Sequence, residues 1–155
     1  MDFERLTVPR ARMERGLGLS AGRFTRLLQN GLYSDLGTGK GNARPYRVSE
    51  VVSLAGALDL AEMGLPLETT VRVANNRDPY RTGLEGAGDL VLATQGRGWL
   101  AAVPPFYSGP RVTIPVAPAF QRGVSIVAAH AVDVDNRAAA ELARAAYGEY
   151  IEGLR

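Results

Sequence analysis

Between Leu19 and Val51 the chain reads LSAGRFTRLLQNGLYSDLGTGKGNARPYRVSEV, which gathers Arg23, Arg26, Lys40, Arg44 and Arg47 around a run of glycines. Two kinds of phosphate chemistry are open to such residues. A nucleotide cradle needs Gly-x4-Gly-Lys-Ser/Thr between a strand and a helix, so that backbone N–H groups and the lysine surround the anion. Here Lys40 is followed by Gly41, Ser34 stands where the first glycine belongs, and the chain runs on into ARPYRV. Gly37, Gly39 and Gly41 are spaced G-x-G-x-G, which also misses the dinucleotide fingerprint. The sugar-phosphate backbone of a nucleic acid fits better. Glycines let a tip approach it closely, and Lys40, Arg44 and Arg47 supply charge for its oxygens. Arg23, Thr25, Arg26 and Gln29 are side chains able to contact base edges or phosphates.

The remaining reactive groups form no catalytic constellation. His130 is the only histidine and lies in an apolar run, with no nucleophile or orienting partner to name. Asp133 and Asp135 lack a His or Cys companion, so they read as a strand end and a helix cap, with Asp135 or Asn136 as N-cap. Phe106, Tyr107 and Trp99 read as core aromatics. No enzyme activity, cofactor or metal site is expected.

These side chains need elements to hold them. Pro9 to Arg15 reads as a short helix, broken by GLGL. Ser20 is a suitable N-cap for a second helix that runs to about Asn30 and ends at Gly31. Phe24, Leu27 and Leu28 form its apolar stripe, with Arg23, Arg26 and Gln29 off it. Two short helices across a Gly-containing turn make a helix-turn-helix. LYSDL and RPYRV then read as the arms of a hairpin, or wing, around GTGKGNA. Ser49 begins a stronger helix with Val51, Leu54, Leu58 and Ala61 at helical spacing and Glu50 in its first turn, and Gly64 stops it. Pro66 to Asn75 gives a fourth helix. Residues 77–88, polar and rich in glycine, read as a linker. DLVLATQ and GWLAAVP flank Gly96-Arg97 as a hairpin, and RVTIPVA alternates. VSIVAAHAV fits a strand or a buried helix, which periodicity does not separate. NRAAAELARAAYGEYIEGL is an amphipathic helix with Leu142, Ala146, Tyr150 and Leu154 on one face. The expected fold is therefore α+β. Residues 1–76 make a winged helix-turn-helix of four short helices plus a wing, and residues 89–155 a small β-rich module with a C-terminal helix.

Composition agrees with that outline. The 155 residues are 46% hydrophobic and 22% charged, ordinary for a globular chain, and the absence of cysteine excludes disulfides and thiolate metal sites. No apolar run approaches the roughly 18 residues that span a bilayer. MDFERLTVPR has no signal-like core, so a cytoplasmic location without membrane attachment is expected. The net charge of +2 is unevenly spread. Residues 1–50 carry nine basic and five acidic groups, whereas the rest carries nine and eleven. A basic first third points to a polyanionic partner.

NGLYSDLGTGKGNARPYRVSEVVSLAGALDLAEMGLPLE resembles the DNA-binding domain of MerR-family regulators and the related excisionase-type domains. Gly31-Leu32, Arg44-Pro45-Tyr46, Glu50, Leu54 and Gly64-Leu65 occupy that pattern's places, and the likeness covers roughly residues 6–76. The resemblance implies that Arg23 and Arg26 lie on a recognition helix, Lys40 and Arg44 on a wing, and Tyr46 at its base beside the duplex backbone. The chain departs from the pattern in two places. Arg26-Leu27 replaces the paired aromatics late in the recognition helix, and residues 77–135 replace the long dimerisation helix. The combined contact set is Arg12, Ser20, Arg23, Thr25, Arg26, Gln29, Lys40, Asn42, Arg44, Tyr46 and Arg47. The function expected is that of a double-stranded DNA-binding transcriptional regulator acting as a homodimer, with any small-molecule effector unknown. A phage-type DNA accessory protein (an excisionase or small terminase subunit) and a protein-interaction domain without nucleic acid are the alternatives.

Overall fold

Two residues at helix starts set the first third of the molecule. In the computed structural model, which describes residues 5–34, 44–76, 90–95, 98–100, 108–109, 111–114 and 116–153, Pro9 is the N-cap of α1 (Arg10–Gly16). Ser20 is the N-cap of α2 (Ala21–Gln29), its Oγ accepting the Arg23 N–H at 3.1 Å and so satisfying one donor that a helix start leaves open. Gly31, at φ +92°, ends α2 in a left-handed conformation costly for a residue with a Cβ. There Leu32 N–H donates to the Leu27 carbonyl at 3.0 Å and Gly31 N–H to that of Leu28 at 3.1 Å. This pattern closes the last turn and buries Leu27 against the core together with Leu32. Two short helices thus stand on either side of residues 17–20, where the sequence places them.

The wing differs from expectation. RPYRV does contribute a strand, β2 (Tyr46–Arg47), but its antiparallel partner is β1 (Thr7–Val8), with Val8 opposite Tyr46. LYSDL is not the other arm over its described part, because residues 31–34 form a turn with Tyr33 at φ +56°. Long-range bonds hold that turn. Tyr33 N–H donates to Asn75 Oδ1 at 2.7 Å, and its hydroxyl donates to the Glu50 carbonyl at 2.6 Å. Asn75 Nδ2 in turn donates to the Gly31 carbonyl at 2.9 Å. The glycine-rich tip itself, with Lys40 and Asn42, lies outside the described residues, as does the 77–88 linker.

Twelve of the fifteen residues of α3 (Val48–Glu62) are buried. A helix apolar nearly all round belongs in the interior, and α3 is the molecule's central rod. One side packs against α4 (Leu67–Asn75), and another against α5 (Val116–Asp133), which in turn packs on α6 (Arg137–Gly153). Ala119, Gly123, Val127 and Ala131 recur along α5 at four-residue spacing on its buried side. A single core runs from Leu6 and Val8 through α3 to Ala143. The Arg122–Asp59 ion pair at 2.5 Å adds a polar tie between α3 and α5.

The β-rich module expected for residues 89–155 is overturned. A three-stranded antiparallel sheet does form, in the order β4 (Gly98–Leu100), β3 (Leu90–Gln95), β5 (Arg111–Ile114), with the hairpin pairing Thr94 with Trp99. It is small beside two helices of 18 and 17 residues. VSIVAAHAV is helix, and the helix begins at Val116 within what reads as the strand RVTIPVA. The reason is tertiary: α5 finds a face of α3 to cover, and a helix lets its valines and alanines do so. Pro118 sits in the first turn of α5, where its missing N–H has no helical acceptor to lose. Asn136 caps α6, its Oδ1 accepting the Ala139 N–H at 3.1 Å. The inward line of α6 is Ala139, Ala140 and Ala143, with Leu142 half-buried, because alanines let α5 approach closely. No helix among the described residues is long and apolar enough to cross a membrane.

Gly123 marks a close approach of α5 to α3. A Cβ there would stand 2.4 Å from Val52 Cγ2 and 3.1 and 3.2 Å from the Val52 Cα and N. Gly123→Ala is therefore expected to destabilise by about 1–3 kcal/mol, even though alanine improves helix propensity by about 1 kcal/mol. Adding Val52→Ala should recover only part, since the backbone contacts remain. Urea unfolding checks this, and a Gly123→Ala variant more stable than its parent would contradict the packing.

Candidate nucleic-acid interface

Because Phe24 and Leu27 turn inward, α2 must present its other side to solvent. Arg23, Thr25, Arg26 and Gln29 are all exposed there. Arg23 and Arg26 make no side-chain hydrogen bond or ion pair with any described residue. Ser20 is exposed too, but its hydroxyl is engaged in the helix cap.

Arg10 was not singled out by sequence, yet it fastens α1 to α2. Its guanidinium lies 4.7 Å from the Phe24 ring centroid and donates to Thr25 Oγ1 at 3.1 Å. Its Nε pairs with Glu14 Oε1 at 2.6 Å. The Arg10–Glu14 spacing of four residues is the one signal that announced part of this.

At the foot of the 35–43 segment, β2 alternates as a strand must: Tyr46 points in and Arg47 out. Glu50, 1% exposed, gathers this region. Its Oε2 accepts the Arg47 N–H at 2.7 Å, and its two oxygens take both terminal nitrogens of Arg44, at 3.1 and 2.8 Å. Such forked pairing is among the stronger hydrogen-bond arrangements. The bond to Glu50 raises the Arg44 pKa further above its ordinary value, against the opposing effect of burial. The same guanidinium covers the Tyr46 ring at 4.7 Å, and Phe24 meets that ring edge-on at 5.6 Å.

Several expectations for this face need correction. Tyr46 does not stand beside a duplex. It is 4% exposed, packed among Phe24, Tyr33 and Arg44, and burial pushes its hydroxyl pKa up. Arg44 braces the buried Glu50 rather than standing free. Arg12 forms an ion pair with Asp133 of α5 and so turns toward the C-terminal helices. Arg47 is exposed, as are the four outward residues of α2, whereas Lys40 and Asn42 fall outside the described residues. Among the described residues no group of three metal-ligating side chains is found. Asp133 pairs with Arg12, and Asp135 lies 3.7 Å from Arg137.

His130, half-buried on α5, faces away from this surface toward β1. Burial lowers its pKa from 6.5, and the charge of Arg12 adds to the effect. It is then neutral in the folded chain over a range where the unfolded chain is protonated. Its contribution to stability is present above the unfolded value and is lost as pH falls through about 6.5 and below. A urea midpoint that falls over this range in the parent, and less in His130→Gln, is the expected result.

Compared with protein-family models, curated proteins and solved structures, the chain has no match.

Proposed function

We propose that this chain is a sequence-specific, double-stranded DNA-binding transcriptional regulator of MerR-like type, with α2 as its recognition helix. What carries the reading is a contrast among arginines. Arg10, Arg12 and Arg44 are held by carboxylates, whereas Arg23 and Arg26 on α2 stand exposed with no partner among the described residues. Two free arginines three residues apart on a short exposed helix suit guanine edges and phosphates in a major groove. Arg47, at the foot of the glycine-rich tip, extends the basic surface. A helix of nine residues reads only a few bases. A homodimer on two half-sites, in the cytoplasm where its DNA is, would supply the missing specificity.

The test is to pass fragmented genomic DNA over the immobilised protein at low salt and sequence what is retained. A limited set of fragments sharing an inverted repeat is expected. Retention of no duplex above the level of bare support would end the DNA reading. Uniform retention with ring-sized assembly would replace regulation by an accessory or packaging role.

A further inference from the structure

A threonine or serine inside a helix commonly turns its hydroxyl back on the helix, donating to the carbonyl three or four residues earlier. Thr70 of α4 does so, its Oγ1 donating to the Pro66 carbonyl at 3.3 Å. Ser53 of α3 behaves alike, donating to the Glu50 carbonyl at 3.1 Å. Thr25 of α2 does not. The carbonyl four residues before it is that of Ala21, and the Arg10 guanidinium occupies the place between them. Arg10 Nη2 donates to Thr25 Oγ1 at 3.1 Å and to the Ala21 carbonyl at 3.4 Å. Among the described residues the Thr25 side chain makes no other hydrogen bond. A hydroxyl has one donor and two acceptor sites, whereas a guanidinium only donates. Arg10 therefore fills an acceptor site of Thr25 and leaves the hydroxyl proton unused, on a residue exposed along with Arg26 and Gln29. Arg10 is itself firmly held. Its side chain is 15% exposed, its Nε pairs with Glu14 at 2.6 Å, and its guanidinium lies 4.7 Å from the ring centroid of the buried Phe24.

We propose that Arg10 is a positioning residue that sets base specificity through Thr25. It holds the threonine so that the hydroxyl proton meets an acceptor on a base edge in the major groove. Guanine offers O6 and N7, adenine N7 and thymine O4, whereas the cytosine amino group is a donor and is refused. Arg10 acts through Thr25 and not on the duplex. The inference rests on the reading of α2 as the recognition helix.

Fluorescence anisotropy on the site recovered from genomic fragments, and on a panel with each base pair replaced in turn, gives a discrimination ratio at every position. Thr25→Val keeps the shape of the side chain and removes the hydroxyl. It is expected to lower that ratio about tenfold at one base pair and to leave the others as they were. Arg10→Met keeps an apolar stem over Phe24 and removes the donors, so the Thr25 hydroxyl swings back to the Ala21 carbonyl. The same base pair should lose discrimination, and the double variant should lose no more than Thr25→Val alone. If Arg10→Met does not fold, Arg10→Lys takes its place with the same expectation, since one ammonium paired with Glu14 does not reproduce the fork. An Arg10 that contributes only stability or charge would weaken all duplexes alike and leave every ratio unchanged, which would overturn the inference. Thr25→Val with unaltered ratios at all positions would overturn it as well. The two readings fail differently. Duplex binding that depends on Arg23 and Arg26 but keeps its ratios in the Arg10 variant ends the positioning role alone, whereas a parent that binds no duplex ends both.

Discussion

Arg23→Ala is expected to weaken duplex binding by roughly 1–3 kcal/mol and to change base preference at one position of the site. Arg26→Ala should cost a similar amount, and the double variant should lose more than either. The expectation rests on what these side chains do not do in the free protein. A guanidinium already paired with a carboxylate must give up that pair before it meets a phosphate or a guanine, so the two interactions offset one another. Arg23 and Arg26 have no such pair to lose among the described residues. Arg12→Ala, which removes a partner of Asp133, should leave duplex affinity near that of the parent. Fluorescence anisotropy on a selected site, repeated over a salt series, separates base contacts from phosphate contacts. Loss of a phosphate contact lowers the slope of log affinity against log salt by about one. If the double variant binds as the parent does and Arg12→Ala does not, α2 is not the recognition element.

Glu50→Ala should lower the free energy of unfolding by about 3 kcal/mol, near the lower end of what removing one partner of a buried ion pair costs. Exposure of the Arg44 guanidinium, whose side chain keeps 35% of its accessible surface, moderates the loss, because water can take over part of its hydration. The Arg47 N–H is left without its acceptor at the start of α3, which adds to the cost. Glu50→Gln keeps an acceptor for one of these donors and should lose less. Arg44→Ala should cost less than Glu50→Ala if the carboxylate, as the one acceptor for three donors, is the centre of the cluster. Urea denaturation with unchanged slope is the measurement. Equal stability of Glu50→Ala and the parent would mean that the cluster is ornamental.

A local rule was enough wherever a residue's role lies in its immediate neighbours. Ser20 and Gly31 bound α2 by capping chemistry acting within four residues, so both ends were legible. The inward Phe24 and Leu27, and therefore the outward Arg23 and Arg26, followed from helical spacing alone. The candidate interface was only half legible. Arg44, Tyr46 and Arg12 share the residue types of nucleic-acid contacts, and composition cannot tell a charged side chain facing solvent from one facing a carboxylate. Glu50 was placed correctly at the start of α3, but its hold on Arg44 depends on how β2 lies across that helix.

The amino-acid order alone settled which segments are helical in the first half, where they start and stop, and which side of α2 is polar. Those outcomes depend on rotational period and on hydrogen bonds that span a single turn. Only the tertiary structure decided that Tyr46–Arg47 pairs with Thr7–Val8, that residues 116–133 form one helix, and that Arg12 pairs with Asp133 of α5. In each case the competing local states lie close in free energy. The difference comes from a surface elsewhere in the chain: the buried flank of α3, which α5 covers with Gly123 pressed against Val52.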